Sequence, residues 1–151
     1  MRKKLLNLIT LTFLLCLTSC NNRTEYDSEF KLYVSKSDSI FDNSDELNPV
    51  LTYFKNGKII GIEFNSNPEC GNYNRKYFIK NDSIIEKIII RKDFFTEHCE
   101  KFDSIYVIEP LIKTIKVYAG KEKGKFIEKE NLIDEMLIDI NDYKLKMKNN
   151  R

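Results

Sequence analysis

The sequence has little of what most enzymes use for chemistry. It contains a single histidine, His98, and five glycines among 151 residues. No G-x-S-x-G sequence is present to place a serine nucleophile at a strand-to-helix turn. No glycine-rich loop stands between a strand and a helix to bind phosphate. We therefore expect no catalytic residues and no cofactor.

The sequence also lacks an excess of positive charge and a second long apolar run. Lysine and arginine number 25, and aspartate and glutamate number 23. This balance does not indicate nucleic-acid binding, which favours a basic surplus. The one apolar run covers residues 5–17, and its 13 residues are fewer than the roughly 20 that a membrane-spanning helix needs. We expect no nucleic-acid partner and no transmembrane helix.

The apolar run and its neighbours have the form of a secretory signal. Residues 2–4 are basic and precede the run, as in a signal peptide. Leu17-Thr18-Ser19-Cys20 follows the run, and this tetrapeptide resembles the lipobox of bacterial lipoproteins. The resemblance implies that residues 1–19 are removed and that Cys20 becomes the N-terminus, carrying fatty acids such as palmitate on its thiol and amine. The alternative is an ordinary secretory leader that ends near an unmodified Cys20.

The resemblance also implies where the mature chain is found. In lipoproteins the residue after the cysteine influences sorting, and Asn21 is not the aspartate that is typical of inner-membrane retention. We therefore expect an outer-membrane lipoprotein rather than an inner-membrane one. Removing residues 1–19, which carry three basic and no acidic residues, leaves 132 residues with 22 basic and 23 acidic side chains. We interpret residues 20–28 as a flexible polar tether and residues 29–151 as one domain.

Cys70 and Cys99 remain once Cys20 carries lipid. An even pair in an oxidising compartment indicates a disulfide, which would close a loop of about 30 residues and stabilise the fold by roughly 3–4 kcal/mol. The alternative is a zinc site, because Cys70, His98, Cys99 and a neighbouring carboxylate are all possible zinc ligands. However, adjacent side chains at 98 and 99 point to opposite faces of an extended segment. We expect the disulfide and no metal.

Alternating apolar residues predict strands joined by tight turns. Asn56-Gly57 is the preferred pair for a type I′ hairpin turn, because both central residues of that turn need a positive φ. Pro110 cannot donate a hydrogen bond within a sheet and belongs between two strands. These signals predict three strand pairs, within residues 50–64, 75–91 and 104–118.

The two ends of the domain give less clear patterns. Phe30, Leu32 and Val34 alternate, which predicts a first strand over residues 29–35. Residues 36–48 are rich in Ser, Asp and Asn and predict a loop or a short helical turn.

The C-terminal segment changes to helical spacing, with apolar residues three and four apart at Ile133, Met136, Ile140, Tyr143 and Met147. We predict one helix over residues 131–147, and the alternative is a last hairpin that turns at Asn141-Asp142. The predicted fold is mainly β: an antiparallel meander of about six to eight strands with this helix packed on one face.

These observations favour a non-enzymatic module of the cell envelope that is held on the membrane by lipid. A sheet of this kind offers an edge and a face for binding an envelope protein or a small ligand. The alternatives are a structural envelope component and an envelope hydrolase that uses a pair of carboxylates. The 23 acidic residues leave the hydrolase open, but no pair of them is marked out by its spacing.

Overall fold

A computed structural model of the chain describes residues 22–43, 45–67, 69, 71–94, 102–118 and 130–149. These residues form one sheet of seven strands, three α-helices and a short 3-10 helix. None of the described helices combines the length and the apolar character that crossing a membrane requires.

Each strand of the sheet pairs antiparallel with the next strand along the chain. This order confirms the predicted antiparallel meander, which needs only short connections between neighbouring strands. The strands are β1 (Ser39–Asp42), β2 (Val50–Lys55), β3 (Lys58–Ser66), β4 (Gly71–Lys80), β5 (Ile84–Phe94), β6 (Phe102–Glu109) and β7 (Thr114–Val117).

The hairpin predicted at Asn56-Gly57 is confirmed. Both residues have a positive φ, 52° and 72° respectively, as a type I′ turn requires. The β4–β5 turn contains a second such pair, Asn81 and Asp82, with φ values of 53° and 66°. Asparagine and aspartate are the side-chain-bearing residues that tolerate this region best, which explains why polar residues stand at both turns.

Two boundaries differ from the prediction. Strand β1 lies inside residues 36–48, where we predicted a loop or helical turn, and it pairs with β2 as the edge of the sheet. Strand β7 begins at Thr114 rather than at residue 111, because Pro110–Ile112 forms a 3-10 helix. The Lys113 N–H closes this turn on the Pro110 carbonyl oxygen at 3.2 Å, so Pro110 does separate the two strands.

The strand predicted over residues 29–35 is wrong. Residues Asn22–Val34 form helix α1, which also includes most of the segment predicted to be a tether. Phe30 and Val34 are one helical turn apart and both pack against the sheet, whereas Leu32 is 76% exposed. The helix forms because Tyr26, Phe30, Tyr33 and Val34 have the spacing of one helix face.

The C-terminal segment is helical, as predicted, and does not form the alternative hairpin. However, two helices stand in place of the single predicted one. Helix α2 (Glu130–Met136) and helix α3 (Ile140–Asn149) are separated by residues 137–139. The Asp139 carboxylate accepts hydrogen bonds from the N–H groups of Asn141 (2.8 Å) and Asp142 (3.2 Å). Asp139 is therefore an N-cap, and this cap begins a new helix in the middle of the predicted one.

Both faces of the sheet are covered, so the domain has three layers. Helices α2 and α3 pack on one face, the α2–α3 face, through Ile133 and Ile140. Helix α1 packs on the other, the α1 face, through Phe30 and Val34. Ile88-Ile89-Ile90 in β5 is buried throughout, with Ile89 in the α1 core and its two neighbours in the α2–α3 core. The unbroken apolar run of β5 is what a strand covered on both faces requires.

Gly61 in β3 allows α1 to approach the sheet closely. A Cβ atom at this position would lie 2.7 Å from Val34 Cγ1 and 3.4 Å from Phe30 Cζ. Because the first distance is shorter than any normal contact, a larger residue forces either the Val34 side chain or α1 itself to move. We expect Gly61→Ala to lower the free energy of unfolding by about 1–3 kcal/mol, measured by chemical denaturation.

A double-mutant cycle tests this explanation. Val34→Ala removes the atom that the new Cβ meets. The loss of unfolding free energy in the double variant should therefore be smaller than the sum of the two single losses, by about 1 kcal/mol or more. Gly57→Ala is the matched control. No atom lies within 4 Å of its Cβ position, so only its φ of +72° disfavours alanine, and its loss should be additive with that of Val34→Ala. Purely additive losses for Gly61→Ala and Val34→Ala would contradict the close contact.

Asp82 holds α3 to the turns of the sheet. Its Oδ1 accepts the Ile59 N–H at 2.8 Å, and its Oδ2 forms an ion pair with Lys144 of α3. Lys144 Nζ also donates to the Asp82 carbonyl oxygen at 3.0 Å. Burial by itself would raise the pKa of Asp82, but the hydrogen bonds from Lys144 and Ile59 and the charges of Lys144 and Lys58 outweigh it and lower the pKa.

This lowered pKa predicts a loss of stability in acid. The ordinary pKa is 3.8, so the stabilisation by ionised Asp82 is complete above that value and disappears as the pH falls through the lower folded-state pKa. Unfolding free energies of the wild type and Asp82→Asn, measured as a function of pH, should therefore converge below about pH 4. A difference that stays constant from neutral pH into acid would contradict this role of the carboxylate.

Candidate functional site

Helix α1 leaves a groove on each of its sides on the α1 face. The polar groove has a volume of about 330 Å³ and is lined by Asp27, Lys31, Glu63, Asn65, Asn72, Asn74, Lys76 and Arg91. The apolar groove has a volume of about 420 Å³ and is lined by Glu29, Leu32, Tyr33, Phe78, Glu86, Lys87 and Glu109. The helical spacing places residues 27 and 31 on one flank of α1 and residues 29 and 33 on the other.

Lys76 of β4 lies in the polar groove with only 8% of its side chain exposed. Its ammonium group donates a hydrogen bond to Asp27 Oδ1, and Glu63 Oε1 lies 3.7 Å away. The same nitrogen lies 5.8 Å from the centre of the Phe30 ring. Lysine is rarely buried to this extent unless it is paired, and here two carboxylates compensate its charge.

Arg91 of β5 extends this network. Its Nη1 donates to Asp27 Oδ2 and its Nη2 donates to Asp93 Oδ2, both at 3.2 Å. Asp27 therefore joins α1 to two strands at once, through Lys76 on β4 and Arg91 on β5. The network holds one flank of α1 on the sheet while the wall of the groove stays polar.

Amide and phenol groups hold Glu63 in place. Asn74 Nδ2 donates to Glu63 Oε1 at 3.0 Å and also to Asn65 Oδ1. Tyr53 donates its hydroxyl to Glu63 Oε2 at 3.3 Å. Burial, together with the charge of Glu63 and this hydrogen bond, raises the pKa of Tyr53 to about 12. Because both oxygens of Glu63 have donors, its orientation is fixed before any ligand arrives.

The composition of the polar groove suits binding rather than nucleophilic chemistry. The described lining residues include three cationic side chains, two carboxylates and three amides, and none is a serine, threonine, cysteine or histidine. Asparagine side chains offer a donor and an acceptor each, and Asp27, Glu63, Lys76 and Arg91 are already oriented by one another. Such a surface can form several directional hydrogen bonds with a polar molecule.

The apolar groove has a different character. Phe78 lies at its base, and Tyr33 is fixed by donating its hydroxyl to the Ile79 carbonyl oxygen at 3.0 Å. Burial and the nearby Glu86 raise the pKa of Tyr33, so this hydroxyl keeps its proton at neutral pH. Leu32, three glutamates and one lysine complete the lining, and the lysine, Lys87, forms an ion pair with Glu29.

The site residues predicted from the sequence lie outside the described residues. This applies to Cys20, to Cys70 and Cys99, and to the zinc alternative at His98. The disulfide and the lipid attachment therefore stay predictions. Among the residues that the structure does describe, no group of three or more potential metal ligands is found.

Comparison of the chain with protein-family models, with curated proteins and with solved structures gave no match.

Proposed function

We propose that the chain is a lipid-anchored, non-enzymatic binding module of the bacterial cell envelope, attached through Cys20, that holds a small polar ligand in the polar groove. The burial of Lys76 beside open volume is the observation that carries the binding part of this proposal. The lipobox resemblance at residues 17–20 supports the anchor, and Asn21 supports the outer rather than the inner membrane.

The energetics of Lys76 favour a role other than stability. Burying an ammonium and its carboxylate partners removes them from water, and the attraction between them often fails to offset that cost. The Phe30 ring lies 5.8 Å from the Lys76 ammonium, so a methionine at position 76 would have an apolar neighbour to pack against. A buried, mutually oriented network of Lys76, Asp27, Glu63 and Arg91 next to a groove of about 330 Å³ is what a preformed binding site needs.

The position of the groove is compatible with the anchor. Only Asn21 separates Cys20 from the first residue of α1, and the 13 residues of α1 extend about 20 Å. Asp27 and Lys31 lie in the middle and the later part of this helix. A polar groove near an anchored helix would meet the molecules that collect at the membrane surface.

Thermal unfolding tests the binding proposal. The full chain is heated with and without the low-molecular-mass fraction of a cell-envelope extract. A ligand at 100 times its dissociation constant stabilises the folded state by about 2.7 kcal/mol, and the expected rise in Tm is about 5 °C or more.

Two leucine variants make this test specific. Asn74→Leu removes an amide from the polar groove and should abolish the rise in Tm. Asn141→Leu replaces an exposed asparagine on α3 and should leave the rise unchanged. An equal rise in all three proteins, or no rise in the wild type, would contradict ligand binding in the polar groove.

A further inference from the structure

The apolar groove presents apolar surface next to acidic side chains. Leu32 is 76% exposed at its edge, and Leu111 and Ile112, which directly follow the groove residue Glu109 and Pro110, are also exposed. Clustered exposed apolar side chains are typical of interaction surfaces. The lining carries three carboxylates against one ammonium group. Lys87 forms an ion pair with Glu29, and the exposed Lys80 lies 3.8 Å from Glu86. The negative charge that an occupant with apolar and basic side chains would complement therefore comes mainly from Glu109, with Glu86 beside it.

The chain itself carries a surface of this complementary kind. On α3, Ile140 is buried and Tyr143 packs inward, whereas Leu145 is 60% exposed. Lys146 and Lys148 lie within three residues of Leu145 and are exposed. The α2–α3 face therefore carries an exposed leucine with neighbouring lysines. The apolar groove, with its glutamates, lies on the opposite face.

We propose that α3 of a second copy of this chain docks in the apolar groove, with Leu145 against Leu32 and Phe78 and with Lys148 beside Glu86 and Glu109. The contact joins two different surfaces, so it is head-to-tail rather than symmetric. Each pair then keeps one free groove and one free α3, and the same contact can repeat to form an array. This proposal does not depend on a ligand in the polar groove, which lies on the other flank of α1.

Site-specific photo-cross-linking of the full chain in the producing cell tests the contact. A benzoylphenylalanine at position 145 should yield an adduct of two copies, mapped by mass spectrometry to a peptide of the groove. The same cross-linker at position 47, a leucine on the β1–β2 connection that is even more exposed than Leu145, should yield at least tenfold less. An adduct with a different protein, or equal yields at the two positions, would overturn the proposal.

Two tagged copies in one cell determine the geometry. Leu32→Glu disables the groove and Leu145→Glu disables α3, so each variant expressed alone should lose self-association at least tenfold. Expressed together, the α3 of the Leu32→Glu copy can still enter the groove of the Leu145→Glu copy. A mixed dimer without higher species is therefore expected. If Leu145→Glu alone associates normally, or if the mixture forms no dimer, the head-to-tail contact is wrong.

A charge exchange provides an additional check that does not depend on apolar packing. Glu109→Lys should weaken the association, and Lys148→Glu in the second copy should restore it. Failure of this exchange to restore any association would contradict the assigned orientation of α3 in the groove.

Discussion

Replacing Phe30 with alanine is expected to lower the free energy of unfolding by about 3–5 kcal/mol, because the truncation leaves a cavity between α1 and the sheet. Phe30 is 1% exposed, and its ring lies edge-on to those of Tyr53 and Phe78 at centroid distances of 5.7 and 5.1 Å. The ring also lies over Gly61, where no side chain could fill the space. Chemical denaturation monitored by circular dichroism measures the change.

Leu32→Ala is the control for this prediction. It truncates a large apolar side chain of the same helix, but this side chain is largely exposed, so the expected loss is within about 0.5 kcal/mol. A similar loss for both variants would mean that α1 does not pack on the sheet through Phe30. The comparison therefore also tests the three-layer architecture.

Replacing Asp27 with alanine is expected to cost about 3 kcal/mol, because it leaves the buried ammonium of Lys76 without its hydrogen-bonded carboxylate. Arg91 loses a partner in the same substitution. The value is at the lower end of the usual range since Glu63 stays 3.7 Å from Lys76 and Asp93 stays with Arg91. Urea denaturation at neutral pH measures the loss.

Lys76→Met gives the complementary result. It removes the buried cation and keeps much of the side-chain volume. Asp27 keeps Arg91 as a partner, and Glu63 keeps its donors Asn74 and Tyr53, so we expect a change of no more than about 1 kcal/mol. In the Lys76→Met background, Asp27→Ala should cost much less than in the wild type. A large loss on Lys76→Met would show that the network is required for folding, and would remove the energetic argument for ligand binding in the polar groove.

The hairpins could be predicted because local chemistry determines them. Asn56-Gly57 suits a turn with two positive φ values, and the apolar residues on either side alternate with the period of a strand. Antiparallel strands joined by short turns also become neighbours without any long-range information. The meander therefore follows from the sequence once its turns are located.

Helix α1 could not be assigned in the same way, because the spacing of its apolar residues fits both a strand and a helix. Phe30, Leu32 and Val34 alternate as in a strand, while Phe30 and Val34 also match one turn of a helix. The choice depends on Gly61, 27 residues further along the chain, since its lack of a side chain lets the helix approach the sheet. A distant glycine of this kind leaves no local signal.

The polar groove was also beyond prediction from the sequence. Its residues come from α1, β3, β4 and β5, and the pairing of Glu63 with Lys76 and of Asn74 with Arg91 depends on strand register. One signal was present: Asn72, Asn74 and Lys76 occupy alternating positions of β4, and such a polar stripe marks one face of a strand. Because the sequence did not show that α1 lies opposite this stripe, the stripe indicated only a solvent-exposed face of the strand.

A peptide map of the membrane-extracted protein decides whether a lipid on Cys20 holds this domain at the membrane. The full chain is extracted from membranes, its free thiols are alkylated, and its peptides are mapped by mass spectrometry without reduction. We expect an N-terminal peptide that begins at Cys20 with acyl groups on its thiol and amine, and a disulfide between Cys70 and Cys99. An N-terminal peptide that begins at Met1, or one with an unmodified Cys20, would contradict the lipid anchor.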